Sequence, residues 1–275
     1  MSLLRTAVAA ATAAFIMVAG AARVTAAEVT RRTILPGTRY ATTLYEIDSG
    51  RSGPIVWVSG GVHGSELAGW MAAERIAGWD IARGKLIVVP HANQPAVQQR
   101  RRSATGDPDL NRQFPQRAGQ SARTRLARAL WAELLRYRPD WVFDLHEALS
   151  NNNANPDSVG QSIIVHPTSR MTSLARRVID RMNAGLSSAR DFNLMRYPVQ
   201  GSLADAAGQV LGANAAIVET SRQYALSTRI DWHLRIMRTI LEELDMNPQT
   251  ASTGGTSVAK AAAVTAATPG EALRF

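Results

Sequence analysis

Five short apolar runs constrain this chain more than any other feature: PIVWVSG (54–60), KLIVVP (85–90), WVFDLH (141–146), SIIVHP (162–167) and AAIVET (215–220). Each has strand length and β-branched content. Helical periodicity fills the stretches between them. Leu126, Leu130 and Leu134 recur every four residues, while Ile230, Leu234, Met237, Leu241 and Leu244 alternate steps of four and three to give one apolar stripe. Strand and helix in alternation predict an α/β three-layer sandwich around a central twisted sheet that is largely parallel, with mixed character. Ligands of such sheets bind outside the carboxyl ends of the strands.

That rule directs attention to VSGGVHGSELAGW, which follows the first run directly. His63 and Glu66 follow that run, His146 ends the third and Glu219 ends the fifth. If these strands are parallel, all four residues share one sheet edge. A polar loop from 90 to 114 would hang over the same edge, and long loops without structure of their own are usually functional or disordered. Catalytic zinc takes three nitrogen or oxygen ligands and keeps a fourth position open. Two ligands three residues apart at a helix start face the same side. His63 and Glu66 have that spacing, with His146 as the best third candidate. Taken alone, H-x-x-E is a weak signal, and the plainer reading is a turn in which Ser65 caps a helix and Glu66 favours its positive end. Asn111 and Arg112, adjacent in DPDLNRQFP, could grip a carboxylate, because an arginine fork makes two parallel hydrogen bonds and an asparagine amide adds another. Arg102 is a second candidate cation.

The termini have a different composition. MSLLRTAVAAATAAFIMVAGAARVTAAEV has a basic start, an apolar run and small residues around 24–27, the layout of a secretory signal, so residues 1–26 are expected to be removed on export to the periplasm or beyond. No stable membrane insertion is expected after cleavage. Losing Arg5 and Arg23 lowers the formal charge of +9 by two, to +7. The remaining excess is dispersed and no basic helix interleaves with aromatics, so nucleic acid is not an expected partner. Residues 247–275, rich in Ala, Thr, Gly and Ser, are expected to form a disordered tail, which leaves 27–246 as one catalytic-sized domain. With no cysteine in the chain, disulfides and thiolate chemistry are excluded.

Taken together, GGVHGSE, the pattern formed by Asn93, Arg102 and DLNRQFP, then DLHEA, and finally GSLADAA with AAIVET resemble the zinc carboxypeptidase superfamily in the same order. They look most like its succinylglutamate desuccinylase/aspartoacylase branch and the related bacterial peptide amidases, over about residues 40–246. The resemblance implies one Zn2+ per chain held by His63, Glu66 and His146, and Glu219 as general base and acid. It implies Arg102 as the arginine that stabilises the oxyanion, Asn111 and Arg112 as the substrate-carboxylate grip, and Asp109 as the acid orienting His63. A shift of one residue would give Arg101 the role of Arg102.

The expected activity is hydrolysis of an amide bond by metal-activated water, in a small-molecule or peptide substrate with a free carboxylate: an N-acyl amino acid, or a peptide such as one from the cell wall. An esterase using the same site, or a non-catalytic envelope-binding protein keeping the fold, are the alternatives. Glu147 is open between a supporting partner and part of the substrate wall, and Asp144 is expected on the same side of its strand as His146. His91, His166 and Tyr197 are lesser candidates for substrate contact, and His233 is expected to face solvent. The short chain leaves little room for a further C-terminal domain, which favours an open cleft.

Overall fold

The computed structural model describes residues 26–250. In chain order these form β1 (Glu28–Ile34), β2 (Thr42–Asp48), β3 (Ile55–Gly60), α1 (Leu67–Ile76), β4 (Trp79–Asp80), β5 (Lys85–Val89), α2 (Gln94–Gln99), α3 (Arg125–Tyr137) and β6 (Trp141–Ala148). They continue with β7 (Ser162–Val165), α4 (Ser169–Asn183), β8 (Asn193–Arg196), α5 (Leu203–Leu211), β9 (Asn214–Ser221), α6 (Leu226–Glu243) and β10 (Gln249–Thr250). The main sheet has eight strands in the order β1-β2-β5-β3-β6-β9-β7-β8. Its centre, β5-β3-β6-β9, is parallel, as is the β7-β8 pair, whereas β1-β2, β2-β5 and β9-β7 are antiparallel. The sandwich is therefore mixed, and the strands bearing the candidate residues all run the same way.

β6 and β9 are buried along their whole length, as expected of strands covered on both faces. α1, α4 and α6 pack one face of the sheet through residues such as Ile76, Met171, Leu174 and Ile236. α3 and α5 cover the other through Leu126, Leu130, Leu134 and Leu203. Each fully buried side chain of this size contributes roughly 1.5–3 kcal/mol. Asn93, Thr124, Thr168 and Ser202 cap α2, α3, α4 and α5 by accepting from backbone N–H groups of the first turn. No helix among the described residues is long and apolar enough to cross a membrane.

Three expectations need correction. The segment 90–114 is not structureless: it contains α2 and a 3-10 turn at Leu110–Arg112, because Asn93 caps a short helix with Pro95 in its first turn. The first residues assigned to the tail are ordered, since Gln249 and Thr250 pair antiparallel with Asp80 and Trp79, where Met246 is fully buried. His233 is also fully buried, because α6 turns a broader face inward than its stripe suggested, including Trp232, Ile236 and Ile240. Residues 1–25 of the expected signal and 251–275 of the expected tail lie outside the described residues.

Candidate metal centre

The chain leaves β3 in a tight turn before α1. Glu66 occupies the residue before the helix with φ −97° and ψ 73°, and its N–H donates to the His63 carbonyl at 3.2 Å. The pair is thus brought together by a turn and not by a shared helical face. Ser65 does not cap α1; its carbonyl and hydroxyl accept from the Arg222 guanidinium at 2.8 and 3.2 Å. Two glycines allow this crowding. A Cβ on Gly64 would lie 1.9 Å from the Ala96 carbonyl of α2, and one on Gly69 would lie 2.3 Å from the Leu145 carbonyl, so α1 rests directly on β6 beside His146.

Three buried donors converge there. His63 Nδ1 lies 2.7 Å from Glu66 Oε1 and His146 Nδ1 lies 2.8 Å from Glu66 Oε2, and the ligand atoms of the three residues fall within 4.8 Å of one another. Each ring turns its other nitrogen to a carboxylate: His63 Nε2 to Asp109 at 2.9 Å and His146 Nε2 to Asp144 at 2.8 Å. Those carboxylates favour Nε2–H tautomers, which leaves both Nδ1 lone pairs aimed at Glu66, an arrangement that calls for a cation. Burial opposes charge on His146, but Asp144 and Glu66 outweigh it and hold the ring well above its ordinary pKa. Burial likewise works against the Glu66 carboxylate, yet His146 and His63 hold it below the usual range. The donor set therefore fits a divalent metal ion.

The surrounding residues tie this centre down. Asp144 accepts from the Ser59 hydroxyl at 2.7 Å through its other oxygen. Asp109 accepts from the Asn111 N–H at 2.9 Å and from Arg102 at 2.9 and 3.2 Å. Burial would raise its pKa, but His63 and Arg102 prevail and lower it. Arg102 Nη1 is 3.7 Å from Glu66, and the side chain lines the cleft. Arg101 instead contributes its backbone carbonyl, which accepts from the Ser65 N–H at 3.0 Å. Asn111 is buried, with Oδ1 3.4 Å from the Leu203 N–H. Arg112 donates to the Asn111 carbonyl at 2.8 Å and borders the same cleft.

Glu219 is the register partner of His146 across β6 and β9. Its Oε2 is buried with no hydrogen-bond partner among the described residues, and burial pushes its carboxyl up to about 8. Glu147 is occupied otherwise: its carboxylate accepts from the Ala68 N–H and pairs with Arg229, while its N–H donates to Glu66 Oε2 at 3.1 Å. His233 bonds to the Thr220 hydroxyl at 3.1 Å behind the site, and burial pushes its pKa down to about 3. His91 pairs with Glu74 and His166 packs against Gly208, neither in the cleft. Sequence reasoning missed Ser59, Arg222 and Arg229, whose identities and spacing carry no local signal. It also missed the 149–159 segment, which forms one wall of a cleft of about 540 Å³ around the centre.

Residues 52–159 match the succinylglutamate desuccinylase/aspartoacylase catalytic domain. The matched segment carries His63, Glu66, Arg102, Asn111, Arg112 and His146. No curated protein matches it in sequence. Among solved structures, the mDAP-bound form of Csd4, a D,L-carboxypeptidase from Helicobacter pylori, superposes with a TM-score of 0.63 at 20% identity, over 72% of this chain and 52% of that one. An aspartoacylase family protein from Mesorhizobium loti gives 0.58 at 22% identity, over 80% and 67%. A succinylglutamate desuccinylase from Silicibacter gives 0.58 at 18%, over 80% and 68%. At these identities the likeness establishes the shared α/β fold. The chain spans little more than half the length of Csd4.

Proposed function

We propose that this chain is an exported, zinc-dependent hydrolase that cleaves an amide bond in a peptide or N-acyl amino acid bearing a free carboxylate. The observation that carries the reading is the convergence, in one cleft, of the His63, Glu66 and His146 donors with Glu219, Arg102 and Arg112. Two imidazoles and one carboxylate are the donor types of catalytic zinc. When bound there, zinc supplies Lewis acidity towards a carbonyl oxygen and makes water more acidic. Residues 1–26 serve as the export signal.

The protein's own groups divide the remaining work. Arg112 and Asn111 hold the substrate's carboxylate, which fixes the position of the scissile amide. Arg102, which lines the same cleft, donates to the carbonyl oxygen as negative charge builds there. Glu219 Oε2 removes a proton from the attacking water as its oxygen bonds to the carbonyl carbon. The same carboxyl then delivers that proton to the amide nitrogen as the C–N bond breaks, leaving a carboxylic acid and an amine. Its lack of another partner keeps it available for both transfers. A cleft of about 540 Å³ lies in the range that takes drug-sized ligands, which supports a substrate bulkier than a small acyl amino acid.

The test compares N-acyl amino acids and short peptides with their C-terminally amidated counterparts, before and after chelation and zinc addition. Hydrolysis of the free acids alone, lost on chelation and restored by zinc, supports the reading. Turnover insensitive to chelation, or none with any of these substrates, removes it.

A further inference from the structure

One half of the cleft has a chemistry of its own. Ile217 precedes Glu219 by two residues on β9 and so shares its face. Ile164 of β7 is the register partner of Ile217, and Met195 of β8 is the register partner of Ile164. All three line the cleft. They form an apolar cross-strand row that starts at the strand of Glu219 and runs away from the metal centre. With strands about 4.8 Å apart, the three steps from β6 to β8 carry the cleft about 14 Å along the sheet edge.

The rim above this row carries large apolar side chains among the polar Ser150, Asn155 and Ser158. Large hydrophobic side chains exposed among the described residues are Val29, Leu135, Leu149, Val159, Tyr197 and Val199. The last four line this cleft, with Leu149 77% and Tyr197 73% exposed. Scattered exposed apolar residues need no explanation, but a cluster facing one cavity does. The charged residues in this half, Asp157 and Arg196, are exposed, and the row itself carries no cation.

The position of the row relative to Asn111 and Arg112 sets its meaning. The segment after β8 passes directly against them: the Leu203 N–H is 3.4 Å from Asn111 Oδ1, and the Phe114 N–H donates to the Gly201 carbonyl at 3.0 Å. The apolar surface therefore adjoins the carboxylate grip. We infer that the substrate residue whose carboxylate is held by Asn111 and Arg112 carries an apolar side chain, aliphatic or aromatic, seated on Ile217, Ile164 and Met195. This deepens the hydrolase reading and rests on its assignment of the carboxylate grip. An aspartate or glutamate side chain on this row would lose its hydration with no cation among Ile217, Ile164 and Met195 to replace it, whereas a leucine or phenylalanine side chain would leave water at no such penalty.

The test is calorimetric binding of free phenylalanine, leucine, aspartate and glutamate, each as both enantiomers, to the zinc-loaded protein and to a Met195→Arg variant. The apolar amino acids are expected to bind about tenfold or more tightly than the acidic ones, and Met195→Arg is expected to abolish or reverse that preference. Equal or tighter binding of the acidic amino acids, no binding by any of the four, or a preference unchanged in the variant overturns the inference. Should Met195→Arg not fold, Met195→Thr on the same edge strand is expected to weaken the apolar pair selectively. Hydrolysis is scored separately. Phenylalanine preference without turnover of any amide removes the hydrolase reading and leaves the pocket, whereas turnover with aspartate preference does the reverse.

Discussion

Replacing Glu219 by glutamine is expected to lower kcat by about 10²–10⁴-fold, the range for losing a positioned general base, while the protein retains its metal. Glutamine preserves the side chain's shape opposite His146 but cannot take up a proton. The substitution also has a signature in the metal-free protein. Burial holds the Glu219 carboxyl near 8 against an ordinary value of 4.5, so the folded state keeps a proton that the unfolded state releases. A raised carboxyl of this kind contributes stability that is present at acid pH and lost as pH rises from about 4.5 through about 8. Glu219→Gln removes that dependence. Melting curves of metal-free wild type and variant are expected to separate in the variant's favour as pH rises from about 4.5 to about 8, with the gap constant above that. Metal loss accompanying the lost activity would instead mark Glu219 as a structural member of the centre.

Replacing Arg102 by alanine is expected to lower kcat/KM by about 10²–10³-fold, the effect of removing one donor to a developing oxyanion. Arg102 is more than half exposed at its side chain, so the loss should come from chemistry and not from the fold. Its two bonds to Asp109 hold it against the same carboxylate that orients His63, and this fixes the guanidinium beside Glu66. Arg101→Ala is the control. Arg101 engages the Ser65 turn through its backbone carbonyl, which the substitution leaves in place, so activity close to wild type is expected. Equal losses in both variants would show that the arginine run acts through general positive charge.

The residues of the candidate centre were legible because metal chemistry restricts the choice of side chain and the sheet restricts the place. His146 and Glu219 stand at the ends of apolar runs, and the parallel β3-β6-β9 arrangement puts them at one edge with His63 and Glu66. What the sequence hid was determined by partners distant along the chain. Glu66 was read as part of a helical face, yet it sits in a turn whose geometry depends on Arg222, 157 residues from Ser65. His233 looked solvent-facing because a single stripe was assumed for α6, while packing against both the sheet and α1 draws a wider face inward. The apolar half of the cleft was invisible for a similar reason. Ile217, Ile164 and Met195 become neighbours only through strand register, and no local pattern encodes the order β9-β7-β8.

The most direct measurement is the metal content of the purified protein, beside Glu66→Ala and His146→Ala variants prepared identically. Each substitution removes one of the three convergent donors. Near one zinc per wild-type chain, lost in both variants while their folds persist, is the expected result. A wild-type protein that is metal-free and refuses added zinc would contradict the account and leave the VHGSE segment as a tightly packed turn.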